Sequence, residues 1–350
     1  MNLDQRLSAF SSLGARLATL ADSFVHNSPN DHFEEMLNNV RAANPWFTLE
    51  NCLYAVREWT KLLQLDSLSA WIEPYKEAIL HVSPHSIGVI NAGNIPMVGF
   101  HDFLSVLMCG HNYLGKNASD DTILLPFIAA QLTSLAPELE DKIHFVDRLA
   151  GFDAVIATGS NNSSRYFEYY FGKYPHIIRR NRTGIAVIEG AESKTELAKL
   201  GDDIFRYYGL GCRSISKLFV PEGYNFNQFF EAIFEFGGVM EHNKYMNNFE
   251  YNNALYLLKR CAFLQNGFLI VIESPVSTSP IAVLHSEFYS GKEDLLTKLK
   301  TAETDIQCIS VNRPENFREI KTVKFGETQA PGLADYADGV DTVKFLSQLG

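Results

Sequence analysis

The chain has 350 residues, of which 46% are apolar and 20% are charged. This composition is typical of a globular protein, and the length fits two domains. A formal net charge of −11 argues against a general nucleic-acid binder, because contacts to phosphates need a basic face. The five cysteines are irregularly spaced and give neither a disulfide framework nor a zinc pattern, so we expect reduced thiols and a cytoplasmic protein. We expect no secretory leader, because the first residues show no basic stretch followed by an apolar one, and no apolar run approaches the ~18 residues of a membrane span.

The first 80 residues are predicted to be helical. Apolar residues recur there at intervals of three and four, at Leu3, Leu7, Phe10, Leu13, Leu17 and Leu20. This is the stripe of an amphipathic helix, and we interpret it as a packing face.

From residue 86 onward, short apolar runs alternate with helical patterns. The predicted strands are residues 87–92, 113–116, 143–146, 154–157 and 185–188. The predicted helices between them are residues 97–108, 122–135 and 163–171. Such alternation predicts a parallel sheet with helices on both faces.

A second set of elements follows. It comprises helices at residues 194–208 and 294–302, and strands at residues 217–220, 268–272, 281–285 and 306–311. A further helix begins at Asn225, with Asn225 and Gln228 spaced like a capping box. Aromatic and aliphatic residues at helical spacing follow it, and we expect this stripe to be core: Phe226, Phe229, Phe230, Ile233 and Phe234.

Two patterns suggest sites that we do not predict. Residues 110–116 fit the start of a phosphate-binding P-loop, but Asn117 stands where Ser or Thr must hold Mg²⁺, and the glycines follow a helical pattern. His81 and His85 have the spacing of helical metal ligands, but Pro84 between them breaks the helix that this spacing needs. We therefore expect no metal.

Three segments carry the candidate chemistry. Residues 93–96 (Gly-Asn-Ile-Pro) and residues 158–163 (Thr-Gly-Ser-Asn-Asn-Ser) each follow a predicted strand and precede a helix. Doubly wound sheets bind ligands at such places. Residues 209–214 (Gly-Leu-Gly-Cys-Arg-Ser) place Cys212 between glycines and a cation, which favours the nucleophilic thiolate. The other four cysteines fall in predicted helices or strands, where we expect packing roles.

In this order, the segments resemble the aldehyde dehydrogenase superfamily. That superfamily has an Asn-x-Pro turn, a strand ending in a cofactor-binding lysine, a Thr-Gly-Ser loop and a Gly-x-x-Cys loop with the nucleophile. The matching residues here are 94–96, 114–116, 158–160 and 209–212. The resemblance implies an α/β fold with a Rossmann-type cofactor domain and a second α/β catalytic domain.

The tail of the sequence narrows the resemblance to one branch. Residues 325–331 and 335–342 are similar to the C-terminus of the LuxC-like acyl-CoA reductases, which supply long-chain aldehyde in bacterial bioluminescence. The resemblance implies reduction of a fatty acyl-CoA to aldehyde and CoA by a reduced nicotinamide. In that reaction Cys212 carries the acyl group, while the Asn94 amide and the backbone N–H of Cys212 stabilise the oxyanion.

One departure from the superfamily is informative. Aldehyde-oxidising members have a Glu-Leu-Gly-Gly segment about thirty residues before the cysteine, and its glutamate activates water. The corresponding residues 177–182 contain no acid, and we expect Glu189 and Glu192 to face solvent. Without a base for water, an acyl-enzyme persists for reaction with a thiol such as CoA.

The resemblance also implies the cofactor residues. Lys116 is expected beside the adenosine ribose, and the loop of Thr158, Gly159 and Ser160 near the pyrophosphate. NAD-preferring relatives have a glutamate where this chain has Ser119, so we expect NADPH to bind more tightly than NADH.

The predicted domains are residues 1–183 with the cofactor site, residues 184–324 with the thiol, and a tail of residues 325–350. The resemblance implies a homo-oligomer. The alternatives are a CoA-acylating aldehyde dehydrogenase on short aldehydes and a cysteine acyltransferase or thioesterase without redox chemistry. The latter needs a histidine, and the sequence ties neither His176 nor His242 to the thiol. A catalytically inactive scaffold is the remaining alternative.

Overall fold

The computed structural model describes residues 1–24 and 31–349. The described chain forms two compact units: unit 1 comprises Met1–Arg180 and Gly332–Gly350, and unit 2 comprises Asn181–Pro331. The roles predicted for residues 1–183, 184–324 and 325–350 stay predictions.

Unit 1 begins with five helices, as predicted for the first 80 residues: α1 (Leu3–Ser23), α2 (Asp31–Ala43), α3 (Leu49–Leu62), α4 (Leu65–Ile72) and α5 (Lys76–His81). The apolar stripe of α1 is buried from Leu3 to Leu17, and Leu20 is half-buried. An N-terminal capping box between Asn2 and Gln5 fixes the start of this helix.

The rest of unit 1 is a parallel sheet with its helices, as the alternating pattern predicts. Its strands are β1 (Ser86–Ile90), β2 (Asn112–Lys116), β3 (Ile143–Phe145), β4 (Ala154–Thr158) and β5 (His176–Arg179). Its helices are α6 (Phe100–Met108), α7 (Leu124–Leu135), α8 (Asn161–Phe171) and α13 (Thr342–Ser347). The strand order is β3-β2-β1-β4-β5, and every pair is parallel.

Unit 2 contains a second sheet. Its strands are β6 (Thr183–Val187), β7 (Ile215–Pro221), β8 (Leu264–Gln265), β9 (Ile270–Glu273), β10 (Val283–Tyr289), β11 (Ile306–Val311) and β12 (Val323–Lys324). Its helices are α9 (Lys194–Phe205), α10 (Phe226–Ala232), α11 (Asn243–Leu258) and α12 (Lys292–Thr301). The order is β12-β11-β6-β7-β10-β9-β8, with only β8 antiparallel to its neighbour among these strands. Leu295 and Leu299 of α12 pack on Ile185, Val187 and Phe219 of the sheet.

Short 3₁₀ turns connect these elements, at Glu73–Tyr75, Pro137–Lys142, Arg206–Gly209, Phe234–Glu241, Glu303–Asp305, Pro314–Phe317 and Ala337–Gly339. Within the described ranges, no helix has the length and apolar character needed to cross a membrane.

Two expectations for the helix after Asn225 are wrong. The side chain of Asn225 caps the helix by accepting from Asn227 N, whereas Gln228 donates to Glu192 O and forms no capping box. Phe234 is 72% exposed, because α10 ends at Ala232 and the following 3₁₀ turn rotates this ring off the buried face.

The packing role expected for four cysteines holds for three of them. Cys52, Cys109 and Cys308 are buried, and burial raises the pKa of the Cys52 and Cys109 thiols to about 12. Cys261 is half-buried in the loop after α11, so the expectation is wrong for this residue.

Candidate functional site

The sheet of unit 1 reverses its strand order between β1 and β4. The chain passes from β1 to β2 and β3 on one side, and returns to β4 and β5 on the other. Ile90 of β1 pairs with Ala157 of β4, so the loops that follow these strands leave the same edge of the sheet side by side. Open parallel sheets bind ligands in the crevice at such a reversal, outside the carboxyl ends of the strands. Both predicted loops of unit 1 lie there.

The loop after β1 carries Asn94, which is half-buried. Close packing holds this loop: a Cβ atom on Gly93 would lie 2.7 Å from Ala118 Cβ, and Gly93 O accepts from Asn44 Nδ2 at 3.3 Å. Met97 has a φ of 60°, an unusual value for a side chain of this size. The predicted helix from residue 97 therefore begins only at Phe100.

Asn91, which was not predicted as a site residue, ties the loop to the end of the neighbouring strand. Its Nδ2 donates to Tyr113 Oη and to Asn117 Oδ1, each at 2.8 Å. The side chain is buried, and Gly99 leaves room for it, because a Cβ atom there would lie 2.3 Å from Asn91 Oδ1. The only signal in the sequence was a polar residue inside a predicted strand, which in fact ends at Ile90.

The predicted ribose-binding residues follow β2. Lys116 is half-buried at the end of this strand and lies opposite Ile90 of β1. Ser119 is exposed, and its hydroxyl donates to the Asp120 carboxylate at 2.7 Å. Gly110 lies in the turn after α6 and Lys116 lies in a strand, so residues 110–116 do not form a P-loop.

The Thr-Gly-Ser loop joins β4 to α8. Ser160 is the N-cap of α8, and its Oγ accepts from Ser163 N at 3.2 Å. Because Ser160 and Asn161 are exposed, the N–H groups of the first helical turn face outward at the carboxyl edge of the sheet. This arrangement can accept an anionic group.

A buried ion pair between Arg179 and Asp102 supports this loop, and Asp102 was not predicted as a site residue. Arg179, in the stretch without an acid, donates to both carboxylate oxygens of Asp102, at 2.6 and 2.8 Å. It also donates to Thr158 Oγ1 at 3.4 Å and Thr342 Oγ1 at 3.0 Å. The cation is therefore fixed between α6, β4 and α13, and it is 5% exposed.

Cys212 belongs to unit 2 and lies in a turn before β7, where Ser214 N donates to Gly211 O at 3.0 Å. The thiol residue is half-buried. Asn94, Lys116, Ser119 and the loop of residues 158–160 all belong to unit 1. The structure thus places the predicted nucleophile on unit 2 and the other predicted site residues on unit 1.

The expectation that Glu189 and Glu192 face solvent is wrong for Glu192, because its side chain is buried. Its carboxylate accepts from Glu189 N at 2.6 Å and Gly190 N at 2.9 Å, and it closes the loop after β6. Strands β6 and β7 are parallel neighbours, and the loop follows β6 whereas Cys212 precedes β7. The carboxylate and the thiol therefore lie at opposite edges of one sheet, roughly 15 Å apart for strands of this length.

Of the two candidate histidines, the structure connects one to the loop of Cys212. The His242 ring lies 4.4 Å from the Tyr208 ring, centroid to centroid, and Tyr208 is four residues before the thiol. His176 belongs to unit 1 and is exposed. Within the described ranges, no cluster of His, Cys, Asp or Glu could hold a metal ion.

Comparisons with known proteins agree with this architecture. The model of the family described as acyl-CoA reductase (LuxC) matches residues 30–236. A comparison with curated protein sequences finds no significant match.

Among solved structures, aldehyde dehydrogenase 21 from Physcomitrella patens, in complex with the reaction product succinate, is 14% identical, with a TM-score of 0.68 over 99% of this chain and 84% of that chain. An aldehyde dehydrogenase from Bacillus cereus in complex with NAD⁺ is 12% identical, with a TM-score of 0.63 over 93% and 76%. An NAD-dependent aldehyde dehydrogenase from Sinorhizobium meliloti is 12% identical, with a TM-score of 0.64 over 93% and 74%. The chain therefore has the fold of these enzymes.

Proposed function

The chain belongs to the LuxC acyl-CoA reductase family, and we propose that it reduces a fatty acyl-CoA to aldehyde and CoA through an acyl thioester on Cys212. The observation that carries this proposal is the position of the thiol. Cys212 lies in a half-buried turn, at the sheet edge opposite the buried carboxylate of Glu192. With Glu192 held there by two backbone N–H groups, it cannot activate water at the thiol. Transfer of the acyl group between thiols then competes with hydrolysis.

The proposed reaction begins with attack of the Cys212 thiolate on the thioester carbonyl. CoA leaves with the electrons of the broken C–S bond and takes up a proton. A reduced nicotinamide held by Lys116 and by the loop of Thr158, Gly159 and Ser160 would supply a hydride to the acyl carbon. The resulting thiohemiacetal on Cys212 collapses to aldehyde and regenerates the thiolate.

Asn94 and the backbone N–H of Cys212 donate to the oxyanion in this proposal. Loss of one such donor costs ~10²–10³ in rate, so Asn94→Ala should bind acyl-CoA but lose most turnover.

The residues of unit 1 fit a nicotinamide dinucleotide. The strand reversal between β1 and β4 gives the crevice, and the outward N–H groups of α8 suit a pyrophosphate. We propose that Thr158, Gly159 and Ser160 contact the pyrophosphate and that Lys116 contacts the ribose.

The proposed preference for NADPH rests on Lys116 and on the neutral Ser119, which would lie beside a 2′-phosphate. The neighbouring Asp120 carboxylate opposes this preference, since it accepts from Ser119 Oγ and would repel the phosphate. Comparison of the dissociation constants of NADPH and NADH decides the preference, and tighter binding of NADH reverses it. Asp120→Asn should shift the ratio towards NADPH.

The test of the proposed function is a panel of acyl-CoAs from short to long chain with NADPH, following aldehyde formation. Cys212→Ala should abolish both covalent labelling by radioactive acyl-CoA and aldehyde formation. Cys261→Ser is the matched control, because this other half-buried thiol of unit 2 lies in an unrelated loop. Labelling of the Cys212→Ala protein at the rate of the unmodified protein would refute the proposal.

A thiol hydrolase or acyltransferase is the second candidate, favoured by the contact of His242 with Tyr208. This candidate predicts release of CoA without oxidation of the reduced cofactor, whereas the reductase releases one CoA per cofactor oxidised. Absorbance of the reduced nicotinamide, with a thiol assay on the same sample, separates the two. The reverse reaction of short aldehydes with CoA is measured in the same way.

We also propose a homo-oligomer, which light scattering after gel filtration tests.

A further inference from the structure

A buried carboxylate of unit 2 takes no part in the proposed chemistry. Asp203 lies on α9 between Leu200 and Ile204, with a relative exposure of 0%. Four donors surround it: Gly326 N at 2.8 Å, Thr328 N at 3.0 Å, Thr328 Oγ1 at 2.8 Å and Ser310 Oγ at 3.1 Å. A charge in such a place is tolerated only when it is well hydrogen-bonded. Three of the four donors come from one segment, residues 325–331.

The 325–331 segment also binds the turn of Cys212. The residue after the thiol, Arg213, donates through Nε to Thr328 O at 2.5 Å. Gln329 Nε2 donates to Ser214 Oγ at 3.3 Å and to Asp203 O at 3.4 Å. Both residues that follow the thiol are thus held by the segment that Asp203 holds.

The chain between Asp203 and Cys212 is strained. Tyr207, Tyr208 and Gly209 have φ values of 55°, 57° and 77°, and residues other than glycine are strained in this left-handed region. Such a conformation persists only where surrounding contacts fix it. The Tyr208 ring packs against the His242 ring before the thiol, and the 325–331 segment fixes the residues after it.

We infer that Asp203 is a positioning residue of the reaction, which sets the place of the Cys212 thiol through the 325–331 segment. The carboxylate accepts four hydrogen bonds and anchors the segment. The segment then holds Arg213 and Ser214, which leaves the strained turn with one conformation. This inference rests on the proposed role of Cys212 as nucleophile.

The test uses Asp203→Asn in the full chain. The amide keeps the size of the side chain, but its NH₂ group faces donors and cannot accept from them. Because a displacement of about 1 Å can cost about 10²-fold in rate, we expect acylation of Cys212 to slow by roughly 10- to 100-fold, with the dissociation constant of the nicotinamide cofactor unchanged. Alkylation by iodoacetamide, followed by peptide mass spectrometry, should become faster at Cys212 but not at Cys261, because the turn of Cys212 loses the contacts that fix it.

Two controls separate positioning from stability. Asp202→Asn makes the same chemical change one residue earlier on α9, at a partly exposed ion pair with Arg206, and should leave acylation and alkylation unchanged. The alkylation rate of Cys261 reports on unit 2 as a whole and should not change in Asp203→Asn.

Gln329→Ala leaves the carboxylate in place and removes one contact to the turn. The double variant with Asp203→Asn should be little slower than Asp203→Asn alone, since both act through one segment. Acylation and Cys212 alkylation within twofold of the unmodified protein in Asp203→Asn and Gln329→Ala would overturn the inference. So would equal acceleration at Cys261 and Cys212 in both variants, which is the sign of a role in stability alone. Failure of the proposed function gives a different result, aldehyde formation by Cys212→Ala, while the alkylation test of Asp203 needs no substrate.

Discussion

Asp121 neighbours Gly93 in the loop of Asn94, since a Cβ atom on Gly93 would lie 3.4 Å from Asp121 Cβ, and it should make the stability of unit 1 depend on pH. Its side chain is 8% exposed, and Oδ1 has no hydrogen-bond partner in the described part of the chain. Burial raises the pKa of this carboxyl from 3.8 to about 6. One pKa unit corresponds to about 1.4 kcal/mol, so burial of the ionised form costs about 3 kcal/mol.

The sign follows from proton binding. The carboxyl of Asp121 binds its proton more tightly in the folded state than in the unfolded state. The protonated carboxyl therefore makes its full contribution to the free energy of unfolding below pH 3.8, and this contribution is lost as the pH rises through about 6. We expect Asp121→Asn, which stays neutral, to gain about 2 kcal/mol relative to the unmodified protein between about pH 4.5 and about pH 7.5.

Urea unfolding followed by tryptophan fluorescence is a suitable assay, since Trp46, Trp59 and Trp71 all belong to unit 1. Asp120→Asn is the control, because it makes the same change at the adjacent exposed carboxylate. The reasoning is refuted if the free energy of unfolding of Asp121→Asn runs parallel to that of the unmodified protein over this pH range.

Three further substitutions test the packing by urea unfolding, followed by tryptophan fluorescence for the two variants of unit 1 and by far-UV circular dichroism for Phe234→Ser, which lies in unit 2. Arg179→Met leaves Asp102 as an unpaired buried charge and should destabilise unit 1 by about 3–5 kcal/mol; a loss below about 1 kcal/mol would contradict a buried pair. Gly99→Ala places a Cβ atom 2.3 Å from Asn91 Oδ1 and should cost about 1–3 kcal/mol, whereas an unchanged midpoint would mean that Asn91 moves freely. Phe234→Ser removes a ring that is 72% exposed and should change stability by less than about 0.5 kcal/mol, and a larger loss would place this ring in the core.

The alternation of strands and helices was predictable because parallel strands, buried on both faces, are short uninterrupted apolar runs. β11 begins and ends at the predicted residues. Helix α11 was missed, although it has 16 residues. Its sequence contains several asparagines, which have a low helix propensity, and only Tyr245, Phe249 and Asn252 are buried. Its stability therefore comes from a few tertiary contacts that no periodic pattern displays.

The residues that support the candidate site could not be predicted from the sequence, for a related reason. Asp102 and Arg179 are 77 residues apart and meet through the order of the strands. Asp203 has the same relation to Thr328, across 125 residues. A motif identifies a side chain that performs chemistry, because its neighbours in sequence shape the local turn. The partner that fixes it comes from elsewhere, and only the fold brings the two together.

The return of residues 332–349 to unit 1 has a consequence for biosynthesis. The buried His111 finds its acceptor at Leu346 O, and Trp71 finds its acceptor at Tyr336 Oη. The ribosome makes these partners only after all of unit 2, which takes on the order of ten seconds at ~5–20 residues per second. On a nascent chain, unit 2 is therefore the first unit whose residues are all synthesised. Until residues 332–349 follow, His111 and Trp71 of unit 1 lack these hydrogen-bond partners. Premature release of the chain within residues 332–349 would leave unit 2 intact and unit 1 unfinished.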